Sequence, residues 1–253
     1  MTETGLGNVN EPILQISDLS FAYGDRQVLA DIALSLDSGQ CLALVGPSGC
    51  GKSTLLKLLA GLLPLQSGRV SWDGKSDSAH AITAQVGALM PQSDALYPWL
   101  RVLDNVALGA RLAGASKRDA RAKALELLTQ VGLADFTQAW PGELSGGMRS
   151  RVSFVRTLSS GRPLWLLDEP FGALDALTRE EVQDWLLQQR QQHGATMVIV
   201  THDVAEAVLL GDRIAVLPKE PGALVAELEV PQLTRADADF VTWCEQVRAL
   251  LKA

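Results

Sequence analysis

The sequence predicts an α/β domain with a mostly parallel sheet, and three observations along its 253 residues support this prediction. Two short apolar runs, CLALV at 41–45 and LWLLD at 164–168, have the length and composition of strands covered on both faces. Leucines recur at helical spacing in KSTLLKLLAGL at 52–62, after the first run and its glycine-rich loop. Such alternation of strands and helices is typical of a parallel sheet with helices on both faces.

The N-terminal part of the chain carries strands of another kind. ILQISDLSFAYG at 13–24 alternates apolar and polar residues and ends in a turn signal, which predicts a half-buried strand. VLADIALSLDSGQ at 28–40 has the same character, and GRVSWDG at 68–74 predicts a short strand with a turn. VGALMPQ at 86–92 predicts a strand that stops at Pro91. We expect the half-buried strands between residues 13 and 74 to belong to an N-terminal antiparallel β-subdomain beside the parallel sheet.

The sequence pattern of residues 94–160 is typical of helices, with few runs of β-branched residues. VLDNVALGARLAG at 102–114 and SKRDARAKALELLTQVG at 116–132 both predict amphipathic helices. Ser116 is the predicted N-cap of the second helix, and Gly132 is its predicted C-terminal stop. We expect this block to form a helical lobe inserted into the α/β core.

Strand and helix patterns alternate again after residue 160. The predicted order is a strand in LWLLD, a helix at 176–194 that ends at Gly194, a strand at 196–203, a helix at 204–211, strands at 212–218 and 222–230, and a terminal helix at 236–253. We expect one domain, in which the α/β core spans 1–93 and 161–230, the helical lobe spans 94–160 and a helical tail spans 231–253.

Composition and charge limit the possible classes of function. The formal net charge of −7 argues against general nucleic-acid binding, which needs a basic face. Three cysteines without paired spacing, Cys41, Cys50 and Cys244, indicate a reducing compartment. The N-terminus MTETGLGNVNEP lacks the basic start and apolar stretch of a signal peptide, and no apolar run is long enough to span a bilayer. We expect a cytosolic protein that contacts a membrane only through a partner.

The loop GPSGCGKST at 46–54 fits the pattern G-x-x-x-x-G-K-S/T between a buried strand and a helix. Glycines let backbone N–H groups surround phosphate oxygens, and the helix N-terminus adds partial positive charge. We expect Lys52 on the β- and γ-phosphates, the Ser53 hydroxyl on Mg²⁺ and Thr54 near the α-phosphate. The alternative, a glycine turn with a chance lysine, does not explain both flanks. The predicted nucleotide-binding residues here are Gly46, Pro47, Ser48, Gly49, Cys50, Gly51, Lys52, Ser53 and Thr54.

Two carboxylates, Asp168 and Glu169, stand at the end of the buried strand LWLLD. Ligands of open α/β sheets bind at the carboxyl ends of the strands, so both residues should face the phosphate loop. Asp168 can hold Mg²⁺ through a water, and Glu169 can accept a proton from an attacking water. An acidic strand cap is the simpler explanation of the pair, but the neighbouring phosphate loop favours the functional one.

With these motifs in place, residues 13–217 resemble the nucleotide-binding subunit of an ABC transporter. LSGGM at 144–148 matches the signature sequence of that family, and ALD at 173–175 matches its loop after the acidic pair. The resemblance implies a P-loop NTPase core that binds ATP and Mg²⁺, and a signature loop that acts on the ATP of a second copy. The signature residues are Leu144, Ser145, Gly146, Gly147 and Met148.

The resemblance also implies roles for four single residues. Tyr23 matches the aromatic that stacks on adenine, and Asp175 belongs to the loop at the dimer interface. Gln92 matches the glutamine that contacts Mg²⁺ or the attacking water, and His202 matches the histidine that supports hydrolysis with Glu169. From the residues alone, Tyr23 could equally belong to the core, Gln92 could be a solvated strand end, and His202 could be structural.

The assembly that the resemblance implies is a head-to-tail homodimer that encloses two ATP molecules. Its partners are integral membrane permease subunits and, indirectly, a solute-binding protein, which places it on the cytoplasmic side of the membrane. LYPWLRVLDNVALG at 96–109 resembles importer ATPases of the nitrate, sulfonate and taurine group, with pyrimidine-precursor importers close by. Trp99 in this segment either contacts the membrane partner or belongs to the core.

Two alternative hypotheses place the chain in other classes of protein. A soluble ABC ATPase acting on nucleic acid or ribosomes usually carries a coiled-coil insertion or two cassettes, and neither is found. LSGGM argues against a phosphate-loop kinase, since a kinase needs an acceptor site instead of a second anion-binding loop.

Ser150 departs from the family pattern. It replaces the glutamine that the family places near the nucleotide sugar of the partner copy, which puts that contact in question.

Overall fold

The computed structural model describes residues 12–76 and 82–252. The N-terminal segment in which no signal peptide is expected lies almost wholly outside these residues. In chain order the strands are β1 (Leu14–Tyr23), β2 (Arg26–Leu36), β3 (Cys41–Val45), β4 (Arg69–Trp72), β5 (Lys75–Ser76), β6 (Gly87–Met90), β7 (Leu164–Asp168), β8 (Thr196–Val200), β9 (Arg213–Val216) and β10 (Ala226–Glu229). The α-helices are α1 (Lys52–Leu59), α2 (Val102–Leu112), α3 (Lys117–Gln130), α4 (Gly146–Ser159), α5 (Ala176–His193), α6 (Val204–Leu210) and α7 (Asp239–Leu250).

The central sheet has the strand order β10-β9-β3-β8-β7-β6. Its five strands from β9 to β6 are mutually parallel, and β10 pairs antiparallel with β9. The mostly parallel sheet that the buried runs predict is therefore confirmed. Because β3, β7 and β8 are neighbours and point the same way, the loops that follow them meet at one edge of the sheet.

Hydrophobic clusters cover both faces of this sheet. Along β3, Leu42 and Leu44 pack with α1 and the antiparallel sheet, whereas Ala43 and Val45 belong to a second cluster with α5, α6 and α7. The strands β2, β1, β4 and β5 form a second sheet in this order with antiparallel pairing, which confirms the predicted N-terminal antiparallel β-subdomain. The continuous apolar run at 41–45 thus reflects a strand with no solvent-facing side.

Gly68, which precedes β4, is a position where a side chain has no room. Its φ is +77°, and an added Cβ would lie 2.5 Å from the carbonyl oxygens of Ser17 and Asp18. Gly74 has a similar φ of +71° but faces open space. We expect Gly68→Ala to lower the free energy of unfolding by roughly 2–4 kcal/mol, against about 1 kcal/mol for Gly74→Ala. Urea denaturation of both variants measures the difference, and equal losses would contradict the steric explanation.

Helices α2, α3 and α4 pack around a hydrophobic cluster of their own, which includes Val106, Leu128 and Val155. The Ser116 hydroxyl accepts a hydrogen bond from the Asp119 N–H at the start of α3. The turn after α3 contains Gly132 with a φ of +70°. The cap and the stop that the sequence predicts for this helix are both confirmed.

The C-terminal elements follow the predicted order. Gly194 ends α5 with a φ of +58°, as the sequence predicts. Helix α7 contributes the buried residues Cys244 and Val247 to the cluster that it shares with α5 and α6. Among the helices of the described residues, none is both long enough and apolar enough to cross a membrane.

Candidate nucleotide-binding site

A cleft of about 870 Å³ opens where β3, β7 and β8 end. Its walls come from the phosphate loop and the start of α1, from the residues after β6, β7 and β8, and from the end of β1 and the start of β2. The lining residues are Tyr23, Arg26, Val28, Ser48, Gly49, Gly51, Lys52, Ser53, Thr54, Gln92, Glu169 and His202. The structure therefore brings together predicted site residues that are far apart in the chain.

The phosphate loop takes its shape partly from Gly51, which has a φ of +103°. A Cβ there would lie 2.7 Å from a methyl carbon of Leu29 and 3.1 Å from the Val28 carbonyl oxygen, so only glycine fits. Cys50 is buried beneath the loop, where its sulfur packs close to Gly46. This placement indicates that the Cys50 side chain is a small packing group, while its backbone contributes to the loop.

Lys52 places its ammonium group inside the loop. Its Nζ donates hydrogen bonds to the carbonyl oxygens of Gly46 at 2.7 Å and Pro47 at 2.9 Å. Both partners are neutral, so the positive charge remains available to phosphate oxygens. The side chain is 7% exposed, and electrostatic attraction to an anion is stronger at such a site than in bulk water.

We expect Lys52→Ala to weaken ATP binding roughly 10- to 150-fold, because a charge-assisted hydrogen bond contributes about 1.5–3 kcal/mol. Lys117→Ala, at the exposed start of α3 and outside the cleft, is the matched control and should bind ATP normally. Titration with a fluorescent ATP analogue measures both affinities. Equal affinities for the two variants would contradict the role of Lys52.

Ser53 and Asp168 form an oxygen pair suited to Mg²⁺. The Ser53 hydroxyl donates a hydrogen bond of 3.1 Å to Asp168 Oδ1. Asp168 is 5% exposed, and burial raises the pKa of its carboxyl above the usual range. Mg²⁺ prefers oxygen ligands and is commonly held by one or two carboxylates together with substrate phosphates, so the residues present fit this ion.

Glu169, Gln92 and His202 meet beside this pair. Glu169 Oε2 accepts a hydrogen bond from Gln92 Nε2 at 3.2 Å and lies 3.4 Å from His202 Nδ1. The backbone at Glu169 has a φ of +50°, an unfavourable conformation for a residue other than glycine, and its N–H donates to the Val200 carbonyl at 2.9 Å. Strained residues of this kind cluster at functional sites, where the surrounding structure holds them in place.

Tyr23, the last residue of β1, also lines the cleft. Its side chain is 47% exposed, and its ring packs edge-to-face on Phe21 with centroids 4.9 Å apart. A ring held in this way can offer a face to a planar base. Arg26 and Val28 line the cleft nearby and were missed by sequence reasoning, although their position just after the turn that follows Tyr23 could have suggested them.

The signature residues do not line this cleft. Ser145 and Gly146 are exposed, and the Ser145 hydroxyl accepts a 3.3 Å hydrogen bond from the Met148 N–H as the N-cap of α4. Leu144 is buried, and Gly147 is the second residue of the helix. The structure thus presents a helix N-terminus to solvent, apart from the phosphate loop of its own chain.

Asp175, in the predicted interface loop, also lies outside the cleft. It is exposed and caps α5 by accepting a 3.1 Å hydrogen bond from the Thr178 N–H. Backbone hydrogen bonding from Thr178 lowers the pKa of the Asp175 carboxyl below its usual range, which keeps the group charged.

Two side chains after the signature loop, Arg149 and Ser150, form hydrogen bonds within their own chain. Ser150 is buried, and its hydroxyl donates a 3.1 Å hydrogen bond to the Pro170 carbonyl oxygen, next to the acidic pair. Arg149 donates to Asp94 Oδ2 at 2.7 Å and to the Leu144 carbonyl at 2.8 Å. The hydroxyl of Ser150 is therefore engaged within its own chain, whereas the family pattern suggests a contact with the partner copy.

The fold and the site together define a P-loop nucleoside triphosphatase with an additional exposed signature loop. The family model described as ABC transporter matches residues 29–172, and the chain belongs to this family. It is an ATP-binding and ATP-hydrolysing subunit, as the motifs predict. Family membership argues against the kinase alternative.

Curated relatives resemble the chain over most of its length. It is 43% identical over 216 residues to the taurine import ATP-binding protein TauB of Escherichia coli, covering 85% of this chain and 84% of that protein. It is 42% identical over 221 residues to the TauB protein of Rhizobium johnstonii, with 82% of each chain covered. The predicted similarity to ATPases of the taurine and sulfonate importer group is confirmed.

Solved structures extend the comparison to assemblies. The chain matches the dimeric bacterial ABC transporter cassette MJ0796 with a TM-score of 0.79 and 29% identity, covering 87% of this chain and 100% of that one. A dimeric post-hydrolysis state of MJ0796, bound to ADP and Pi, matches with a TM-score of 0.78 at the same identity and coverage.

Proposed function

We propose that the chain powers an importer of a small sulfonate such as taurine, as a homodimer attached to membrane permease subunits on the cytoplasmic side. The observation that carries the ATP-driven mechanism is the separation of two anion-binding features. The phosphate loop and Glu169 line one cleft, and Asp168 accepts a hydrogen bond from Ser53 beside it, whereas Ser145 of the signature loop is exposed and does not line that cleft. The substrate class rests on the similarity to TauB proteins.

Two copies arranged head to tail would complete each other's sites. The N-terminus of α4 in one copy would then face the γ-phosphate bound in the other, where exposed backbone N–H groups favour negative charge. The MJ0796 cassettes are dimeric, which supports a dimer of this chain. Asp175 would lie at the same interface, since it is exposed and precedes α5.

Hydrolysis follows from the groups that meet in the cleft. Lys52 would neutralise charge on the β- and γ-phosphates, and Ser53 and Asp168 would hold Mg²⁺, which supplies further charge neutralisation when it is bound. Glu169 would accept a proton from the attacking water. Gln92 and His202 contact the same carboxylate and would orient it and the water.

Exposed apolar side chains mark the surface proposed to contact the permease. They surround a groove of about 410 Å³ between the sheet and the helical lobe, near Leu62 and Leu112, which are 65% and 80% exposed. Trp99 is 70% exposed and packs on Tyr97, while Asn105 fixes the backbone of this segment with hydrogen bonds to Tyr97 and Leu100. We expect a membrane permease subunit to cover this surface, because large exposed apolar patches commonly mark protein interaction sites.

Purification of the tagged chain from membranes of its host tests the proposal. We expect a permease to co-purify with the wild type but not with the Trp99→Ala variant, whose ATP hydrolysis in solution should be unchanged.

Proteoliposomes containing the complex and its solute-binding protein should take up taurine in an ATP-dependent manner. Uptake of the carboxylate analogue β-alanine instead would overturn the sulfonate assignment. ATP hydrolysis stimulated by nucleic acid or ribosomes, without a permease, would favour the soluble alternative.

A further inference from the structure

His202 depends on its neighbours for its position. Its side chain is 69% exposed and contacts Glu169, so the flanking backbone must hold it over the cleft. The Thr201 N–H continues the sheet by donating to the Leu44 carbonyl at 3.3 Å. The Thr201 hydroxyl accepts a 3.0 Å hydrogen bond from the Asp203 N–H and thereby closes the turn that carries the imidazole.

The Thr201 hydroxyl is itself held by a buried carboxylate. It donates to Glu206 Oε2 at 2.5 Å, and Glu206 Oε1 accepts a 3.2 Å hydrogen bond from Gln183 Nε2. Glu206 is 7% exposed, and burial raises the pKa of its carboxyl above the usual range. Burying such a group is unfavourable unless it is hydrogen-bonded or paired, so its partners make it an organised part of the structure.

The same carboxylate is connected to the predicted interface loop. Arg179 Nε lies 3.8 Å from Glu206 Oε1, and Arg179 Nη2 donates to the Leu174 carbonyl at 3.0 Å. Leu174 belongs to the turn 173–175, on which the start of α4 packs. A Cβ added to Gly147 would lie only 3.4 Å from the Ala173 carbonyl oxygen. The start of the signature helix therefore lies close to the loop at 173–175, which Arg179 and Glu206 connect to the turn that carries His202.

We infer that Glu206 is a positioning residue for ATP hydrolysis: through the Thr201 hydroxyl it holds His202 against Glu169, and through Arg179 it ties that turn to the loop at 173–175. The inference rests on the proposed function, in which His202 supports hydrolysis. It adds a route within one chain by which the interface loop reaches the catalytic groups. Neither Thr201 nor Glu206 lines the nucleotide cleft, so both act through other residues.

Substitutions at Thr201 separate this role from simple packing. Thr201→Val keeps the size of the side chain and removes the hydroxyl, whereas Thr201→Ser keeps the hydroxyl and removes a methyl group. We expect Thr201→Val to lower kcat for ATP about tenfold or more, with KM changed less than about threefold, because misplaced catalytic groups slow the chemical step. Thr201→Ser should retain most of the wild-type kcat. A packing role predicts the opposite order, and that order would overturn the inference.

Glu206→Gln tests the carboxylate itself. Glu181→Gln, on the exposed side of α5, is the charge-matched control. We expect Glu206→Gln to lower kcat as well, because the amide has a single acceptor oxygen for the two donors, Thr201 and Gln183, and loses the charge that faces Arg179. The Thr201→Val/Glu206→Gln double variant should lose less than the sum of the two single losses, since both substitutions weaken the same link. Additive losses in the double variant would overturn the inference. Circular dichroism and thermal unfolding check that each variant is folded.

His202→Ala, measured in parallel, separates failure of the inference from failure of the proposed function. Loss of turnover in His202→Ala, with wild-type kcat in Thr201→Val and Glu206→Gln, would overturn the inference alone. Wild-type turnover in His202→Ala would overturn the proposed role of this histidine and the inference with it. Low kcat in Thr201→Val, Glu206→Gln and His202→Ala, with normal kcat in Thr201→Ser and Glu181→Gln, is the expected result.

Discussion

Glu169→Gln is expected to abolish most ATP turnover while leaving ATP binding and ATP-dependent dimerisation intact. The carboxylate of Glu169 lines the cleft, and a general base of this kind contributes roughly 10²- to 10⁴-fold to the rate. Glutamine has nearly the same shape, and its oxygen can still accept the hydrogen bond from Gln92, but it cannot take a proton from water. Binding should persist because Lys52, Ser53 and Asp168 are unchanged.

Single-turnover hydrolysis and size-exclusion chromatography with ATP and Mg²⁺ measure the two halves of this prediction. Glu126→Gln, an exposed position in the helical lobe, carries the same change in charge and should behave as wild type. Hydrolysis at the wild-type rate in Glu169→Gln would show that another group takes the proton.

Ser145→Arg is expected to reduce turnover by roughly 10²-fold or more without weakening ATP binding to the isolated chain. Ser145 is exposed outside its own cleft, so the bound nucleotide of the same chain should not sense the substitution. In the proposed dimer, the arginine would place bulk and charge where the signature helix meets the partner's γ-phosphate. It would also remove the cap of α4, which costs about 1 kcal/mol of stability.

Ser116→Arg separates these two effects. Ser116 is likewise an exposed N-cap, on α3, and lines neither the nucleotide cleft nor the groove beside the lobe. It should lose similar stability in thermal unfolding and keep its hydrolysis rate. Weakened ATP binding by the Ser145→Arg monomer, or similar hydrolysis rates in the two variants, would contradict a role in the partner's site.

Local patterns were sufficient to predict the elements and most of the cleft. The apolar runs at 41–45 and 164–168 are strands with both faces covered. Ser116 caps the start of α3, and Gly132 and Gly194 follow the ends of α3 and α5, as expected. These features depend on neighbouring residues in the chain, so a single sequence contains the information.

Features that depend on distant contacts could not be predicted. Arg26 and Val28 line the cleft because β2 packs against the phosphate loop at Gly51, and only their position shortly after Tyr23 could have suggested them. Glu206 looks like an ordinary polar residue in a short helix, and only the fold shows that it is buried against Thr201. The hydrogen bond of Ser150 likewise could not be predicted, because it depends on the position of the Pro170 carbonyl in the fold.

Mixing the Lys52→Ala and Ser145→Arg variants tests the central claim, that each ATP site is completed by a second copy. Either variant alone should be nearly inactive. In a mixed dimer, one site combines the intact phosphate loop of the Ser145→Arg chain with the intact signature loop of the Lys52→Ala chain. If the sites act independently, an equimolar mixture should recover about one quarter of the wild-type hydrolysis rate per chain. No recovery, with mixed dimers detected by a pull-down through two different tags, would contradict the account.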